Sequence, residues 1–365
     1  MSKPTPTGEY KVGTFTFSLY GDRSIACRMF YPVTPDAAAG CNKPRYMSRE
    51  VCKGISKTMM MPISYNKIEK QGGNFMECYE NAPHIEGKKF PLIVFSHGAG
   101  SYRESNSFMC IDIASHGYVV LCIAHPVVAA CVEYDNGSFE YAVKNLTFKT
   151  YQPFFKGAMT LSKFLKKKGT DEELAAEFDE FQKTYCGFLR EHLPLWMEDS
   201  KRAAAYAEEN LSYMIDFDKG IGVTGHSFGG ITAYALCQND PKFTCGINLD
   251  CITVGDYNGK VLDKPFMQIS CPANLCTQTK IFLNHTKSVY SVVMKDMEHL
   301  GLTDMKFAIS SKKLVGALPP EAAHENLCKC HLEFFDTYLK KLKDRPALTD
   351  NGVITVKEYA PDVSG

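Results

Sequence analysis

The sequence predicts an α/β fold: a mostly parallel central sheet with flanking helices. Three observations predict it. Pro91-Leu92-Ile93-Val94-Phe95-Ser96 and Tyr118-Val119-Val120-Leu121-Cys122-Ile123 are continuous apolar runs, the pattern of strands covered on both faces. Residues 103–116 between them read as a helix that stops at Gly117, which completes the strand–helix–strand unit of a parallel sheet. Further along, Gly220-Ile221-Gly222-Val223-Thr224, then Gly225-His226-Ser227-Phe228-Gly229, then Gly230-Ile231-Thr232-Ala233-Tyr234-Ala235-Leu236-Cys237 read as strand, sharp turn and helix.

The remaining elements follow the same rhythm. Val12, Phe15, Phe17 and Leu19 alternate up to Gly21-Asp22, and Ile25, Cys27, Met29 and Tyr31 alternate after it, as expected of two antiparallel strands opening the sheet. Residues 32–88 form an irregular N-terminal excursion with one helix from Ser48 to Met61. That helix ends Met59-Met60-Met61-Pro62, read as core packing, with contact to a lipid surface as the other reading. Residues 145–215 form a helical insertion, the usual place for a lid or pocket wall. Asp171-Glu172-Glu173 opens one of its helices, Ser200 through Ile215 forms another, and Trp196 is a packing anchor. Three strands follow the turn at Ser227, at 244–250, 265–269 and 288–294. A last helix from Glu321 to Leu342 places Leu327, Phe334, Phe335, Tyr338 and Leu342 at helical spacing toward the sheet. The whole chain, 1–365, reads as one domain carrying these two excursions.

Composition excludes several function classes. Apolar residues make up 45% of the 365, and Lys plus Arg equals Asp plus Glu at 41 each. Zero net charge without a long basic block argues against a nucleic-acid partner. The N-terminus, Met1-Ser2-Lys3-Pro4-Thr5-Pro6, lacks the apolar core of a signal peptide, and no run approaches the ~20 apolar residues of a membrane span. Fifteen cysteines are an odd count, many within apolar runs, where cysteine behaves as a small hydrophobe. The expectation is a reduced, cytoplasmic protein, at most peripheral on membranes. The chain carries no signal for an oligomeric state.

The chemistry centres on G-x-S-x-G. Strand, tight turn and helix around Ser227 form the nucleophile elbow of an α/β-hydrolase, where the flanking Gly225 and Gly229 meet the steric demand of the turn. A serine needs a base to take its proton, and the base needs a carboxylate to hold its tautomer. In this fold the chain order is serine, acid, histidine. Asp250, at the end of the next strand, is the candidate acid, with Asp256, Asp263 and Asp296 as rivals. His299, after the strand ending at Met294, is the candidate base, with His285 before that strand and His324 and His331 on the last helix as rivals. Two backbone N–H groups must stabilise the oxyanion, and Phe228 and Ala99 are assigned to it. Ala99 lies in Ser96-His97-Gly98-Ala99-Gly100, where His97 is read as orienting the loop. No cofactor is called for. His324-x₃-Cys328-x-Cys330-His331 has metal-ligand composition, but on a single helix these groups are not expected to converge, and no metal is assigned.

From about Glu9 to about Leu339 the chain resembles the platelet-activating factor acetylhydrolase family, in its plasma and intracellular type II forms. The resemblance rests on Pro91–Gly100, Ile111–Val120, Gly225–Gly230 and Cys245–Asp250, and more weakly on His299–Phe307. It implies a calcium-independent serine esterase acting on short or oxidised sn-2 acyl chains of phospholipids. It also implies Ser227, Asp250 and His299 as the triad and Phe228 and Ala99 as oxyanion donors. Ala99 stands where the family usually has leucine, and His125-Pro126 where many members have His-Arg. The segment before Pro91 is less apolar than the membrane-docking helix of the plasma form. The competing readings are a general carboxylesterase or dienelactone-hydrolase-like enzyme on small soluble esters, and a non-catalytic binding module on the same fold.

Overall fold

The computed structural model describes residues 3–59, 62–70, 74–144, 146, 156, 157, 159–256 and 260–360. In chain order the elements used below are β1 (Lys11–Leu19), β2 (Ile25–Val33), α1 (Arg49–Thr58), β3 (Tyr79–Glu80), β4 (Leu92–Ser96), α2 (Ser107–Ser115), β5 (Val119–Ala124), β6 (Cys131–Glu133), β7 (Phe139–Tyr141), α3 (Asp171–Tyr185), α4 (Gly187–Asn210), β8 (Ile221–His226), α5 (Phe228–Asn239), β9 (Phe243–Leu249), β10 (Phe266–Ser270), β11 (Val289–Met294), α6 (Pro320–Tyr338) and β12 (Ile354–Tyr359).

Ten strands form one sheet in the order β12-β11-β10-β9-β8-β4-β5-β2-β1-β3. The six from β5 to β11 run parallel to one another. The opening pair β1–β2 is antiparallel, and β2 joins β5 antiparallel. This is the α/β-hydrolase fold that the apolar runs predict.

Each face of the sheet has its own core. Val94, Leu121 and Val223 pack beneath α3, α4 and α5, whose buried residues include Phe178, Trp196 and Ile231. Ile93, Val120 and Ile247 pack on the other side against α1, α2 and α6, with Ile55, Ile113 and Phe334. Strands this deeply covered must be apolar throughout, which is why β4 and β5 were legible as unbroken runs. The chain leaves β4 to form β5 on one side and returns to form β8 on the other. That reversal opens a crevice at the carboxyl ends of β4 and β8.

Several boundaries differ from expectation. The expected helix at 200–215 is α4, which starts at Gly187, continues through Pro194 and ends at Asn210. Leu189, Leu193, Trp196, Ala203 and Ala207 form one buried seam along it, and this burial outweighs the proline penalty. α1 ends at Thr58 with Ser48 as its N-cap, and Met60 and Met61 lie outside the described residues. α6 stops at Tyr338, so Leu342 is 66% exposed rather than facing the sheet. β12 was not anticipated. It pairs antiparallel with β11 and is short and charged at Lys357 and Glu358, as suits a sheet edge.

Candidate active site

The carboxyl edge of the sheet collects Ser227, Asp250, His299 and the loop that holds Ala99. β4 ends at Ser96, β5 runs into His125, β8 into Ser227, β9 into Asp250, and the loop after β11 leads to His299 at the start of a 3-10 segment. These positions are distant in sequence and adjacent in space because neighbouring parallel strands end together.

Ser227 has φ 53° and ψ −125°. A non-glycine residue in that region is strained, and here the turn imposes it. Ser227 N–H is tied to the Leu249 carbonyl at 2.8 Å, and the Ser227 carbonyl accepts from Gly230 N–H at 2.7 Å. A Cβ at Gly229 would sit 2.0 Å from the Ser96 carbonyl oxygen, and one at Gly225 would sit 2.4 Å from the Gly229 backbone. The elbow is therefore pressed directly onto the end of β4.

Asp250 follows β9 in the left-handed region, at φ 59°, which aspartate tolerates. Its side chain is fully buried, and four donors converge on it. Cys271 N–H reaches Oδ1 at 2.8 Å and Gln278 Nε2 reaches it at 3.1 Å. Asn274 Nδ2 reaches Oδ2 at 2.7 Å, and His299 Nδ1–H donates to the same oxygen at 2.8 Å. The Gln278 amide is itself oriented, since Ser270 Oγ donates to its Oε1 at 2.5 Å. These bonds leave the carboxylate fixed and aimed at the imidazole. Asn274 and Gln278 were missed in the sequence. They sit in a 3-10 stretch after β10, and only the parallel pairing of β9 with β10 brings that turn beneath Asp250.

With Nδ1 engaged by Asp250, Nε2 is the ring nitrogen that His299 can offer to an alcohol. The ring is partly exposed, 38% at the side chain. His226, the residue before Ser227, anchors the same loop. Its Nε2–H donates to the His299 carbonyl at 3.0 Å, and the two rings lie 4.6 Å apart. Burial, reinforced by the neighbouring His299, pushes His226 well below the usual histidine range. It is neutral, with Nδ1 lacking a partner among the described residues. Among those residues no hydrogen bond joins Ser227 Oγ to His299 Nε2. In unliganded hydrolases that contact is often long and tightens with substrate.

Phe228 is the first residue of α5, so its N–H has no intrahelical acceptor. Ala99 lies in the turn facing it. A Cβ at Gly98 would come within 3.0 Å of Ser227 Cβ and 3.2 Å of His226 Nδ1, so only glycine lets this loop lie against the elbow. His97 shapes the loop as expected. Its Nδ1–H donates to the Gly98 carbonyl at 2.7 Å and its Nε2 accepts His125 N–H at 3.2 Å. Burial, with the nearby His125 adding to it, lowers its pKa to about 3, so the neutral tautomer these bonds require persists.

Behind the loop lies a second serine–histidine–aspartate set. Ser96 Oγ–H donates to His125 Nε2 at 3.0 Å, and His125 Nδ1–H donates to Asp199 Oδ2 at 2.9 Å. Arg23 grips Asp199 through Nε and Nη2, each at 2.8 Å, and donates to the Pro126 carbonyl at 3.2 Å. Burial alone would raise the Asp199 pKa, but His125 and Arg23 hold it below the usual carboxylate range. Ser96, His125 and Asp199 are all buried. The set is inaccessible, and it ties α4 to the ends of β4 and β5.

The rivals stand elsewhere. His285 Nδ1–H donates to the Lys287 carbonyl, His331 bonds the Leu327 carbonyl and Thr224 on α6's side of the sheet, and Asp256, Asp263 and Asp296 are exposed. The metal-like residues of α6 do not gather as one set, but two of them approach each other. Cys328 Sγ lies 3.6 Å from His324 Nε2, and Asp112 of α2 joins the pair. Cys330 and His331 stay apart from it.

The model of the family described as platelet-activating factor acetylhydrolase, isoform II, matches residues 1–345. A platelet-activating factor acetylhydrolase of Canis lupus familiaris is 28% identical over 330 residues, covering 86% of this chain and 70% of the relative. The protein of that name from Bos taurus is 27% identical over 352 residues, with the same coverage of each chain. A ferulic acid esterase from Streptomyces cinnamoneus superposes with a TM-score of 0.63 at 17% identity, covering 95% of each chain, which is a likeness of fold. On the match of this family over residues 1–345, this chain belongs to the platelet-activating factor acetylhydrolase isoform II family.

Proposed function

We propose that this chain is a calcium-independent serine esterase that removes short or oxidised acyl groups from the sn-2 position of phospholipids. One observation carries the reading. Asp250, gripped by four donors, holds His299 Nδ1 at 2.8 Å beside a serine kept at φ 53° on an elbow.

In this reading Ser227 Oγ attacks the ester carbonyl while His299 Nε2 takes its proton. Asp250 keeps the imidazole in the Nδ1–H tautomer and stabilises the imidazolium that forms. The Phe228 and Ala99 N–H groups donate hydrogen bonds to the tetrahedral oxyanion. His299 then protonates the departing glycerol alcohol, and water releases the acyl group by the same steps in reverse order. The chain acts as one hydrolase domain in which 145–215 is the insertion. Its substrate is an amphiphile, so transient contact with a lipid surface belongs to the reading, and no helix among the described residues is long and apolar enough to cross a membrane. Fifteen free cysteines fit a reducing, cytoplasmic setting.

A hydrolysis panel tests it, running from acetyl to long-chain sn-2 phospholipids beside simple aryl esters, with and without chelator. Short and oxidised chains should turn over fastest, with no effect of chelator. Ser227→Ala should abolish hydrolysis with the fold intact, and His299→Ala should lower kcat by ~10³-fold or more. Preference for monomeric aryl esters over micellar phospholipid would sink the lipid assignment and leave a general carboxylesterase.

A further inference from the structure

We propose that Asp112, His324 and Cys328 form a binding site for one zinc-class divalent cation, away from Ser227 and independent of ester hydrolysis. His324 and Cys328 are four residues apart on α6, so they share one face of the helix. Asp112 comes from α2, which packs against it. Donor atoms of all three lie within 4.8 Å of one another.

The spacing fits a tetrahedral ion. Bonds of ~2.3 Å to sulfur and ~2.05 Å to nitrogen at a tetrahedral angle give a sulfur–nitrogen edge of about 3.6 Å. Cys328 Sγ is 3.6 Å from His324 Nε2 and 3.8 Å from Nδ1, close enough to share an ion once the ring turns to aim one nitrogen at it.

The charges also fit. A thiolate, a carboxylate and a neutral imidazole cancel a double positive charge, so the loaded site buries no net charge. The Cys328 thiol is buried and rests on Asp112. An arriving ion takes the thiol's place against the carboxylate, and the thiol proton leaves to solvent.

The support around the ligands resembles that of a metal site. Asp112 Oδ1 accepts Thr7 N–H at 2.6 Å and Thr7 Oγ1–H at 2.9 Å, which orients the carboxylate and leaves its other oxygen for the ion. His324 also borders a narrow crevice shared with Asn106, Asp304 and Phe307. An ion here would clamp α6 to α2 and, through Thr7, to the N-terminal segment.

The full chain, stripped of metal and titrated with Zn²⁺ by calorimetry, should take up one ion per chain and gain thermal stability. Co²⁺ should develop the thiolate-to-metal charge-transfer absorption of a tetrahedral site. Cys328→Ser should abolish that absorption, and His324→Gln, at a half-buried position, should weaken Zn²⁺ binding at least ~10-fold. Both variants should keep the parent rate of ester hydrolysis and the parent circular dichroism. Absence of uptake at micromolar Zn²⁺, or a charge-transfer band that survives in Cys328→Ser, overturns the proposal.

Discussion

The imidazole of His125 lies flat on the indole of Trp196, with centroids 3.9 Å apart and planes 10° from parallel. The same indole meets His97 edge-on at 5.1 Å and Phe228 at 4.7 Å. One fully buried side chain of α4 thus touches the residue after the elbow serine and the histidine that shapes the Gly98–Ala99 turn. Both assigned oxyanion donors are positioned from the inserted segment. Trp196→Phe should leave a folded protein with a poorly filled centre and misplaced donors. Because oxyanion contacts act mainly in the transition state, kcat should fall ~10-fold or more while KM stays within about twofold. Steady-state kinetics on an aryl ester decides this, and an unchanged kcat would show that Trp196 serves packing alone.

The two serine–histidine–aspartate sets should respond differently to a fluorophosphonate. Ser96 is 1% exposed and its hydroxyl is committed to His125, whereas Ser227 stands on a strained, partly open turn. Labelling should appear at Ser227 alone. Ser96→Ala should keep it and Ser227→Ala should lose it, read by mass spectrometry of the modified peptide. A label on Ser96 would mean that the inner set opens to solvent.

The fold was legible where physics permits one pattern. β4 and β5, covered on both faces, had to be apolar without interruption, and Ser227 could not occupy its turn without small residues at 225 and 229. Asp250 and His299 followed from chain order and strand ends. Other features depend on pairing that no local pattern reports. Asn274 and Gln278 are ordinary polar residues until β9 and β10 end side by side. Asp112 gains its neighbours only when α2 meets α6. Pro194 broke the helical pattern locally, and the buried seam that carries α4 through it emerges only once the sheet is present. β12 did carry a local signal, Val353-Ile354-Thr355-Val356 after Asn351-Gly352, that the sequence reading passed over.

The donors around Asp250 lead to a test in which the sign matters. Asn274→Ala removes a charge-assisted bond of 2.7 Å and should cut kcat ~10-fold with KM nearly unchanged. Asn274→Asp should do more harm, because it sets a second carboxylate against Asp250. The added negative charge also favours the imidazolium of His299, so the acid limb of the pH–rate profile should move to higher pH, by up to ~1 unit. Equal losses in both variants, with no movement of the acid limb, would reduce Asn274 to a packing role.

Buried histidines set the acid limit of stability. Burial pushes His97 to about 3 and His331 to about 4, while in the unfolded chain each titrates near 6.5. Between pH 6.5 and 4 the unfolded chain therefore binds two protons that the native state refuses. Their stabilisation is complete above pH 6.5 and is lost as pH falls toward those lower values. Asp304 opposes them. Burial raises its carboxyl well above the usual range, so the native state holds one proton that the unfolded chain releases above about pH 4. The balance is one proton, or about 1.4 kcal/mol per pH unit, and His125 and His226, both also lowered by burial, steepen it. Stability should drop by at least ~2 kcal/mol from pH 6.5 to pH 5, measured as the shift in urea midpoint at constant m-value. A flat profile across that interval would mean that these rings take up protons in the native state, and the neutral tautomers assigned to His97 and His226 beside the elbow would then be wrong.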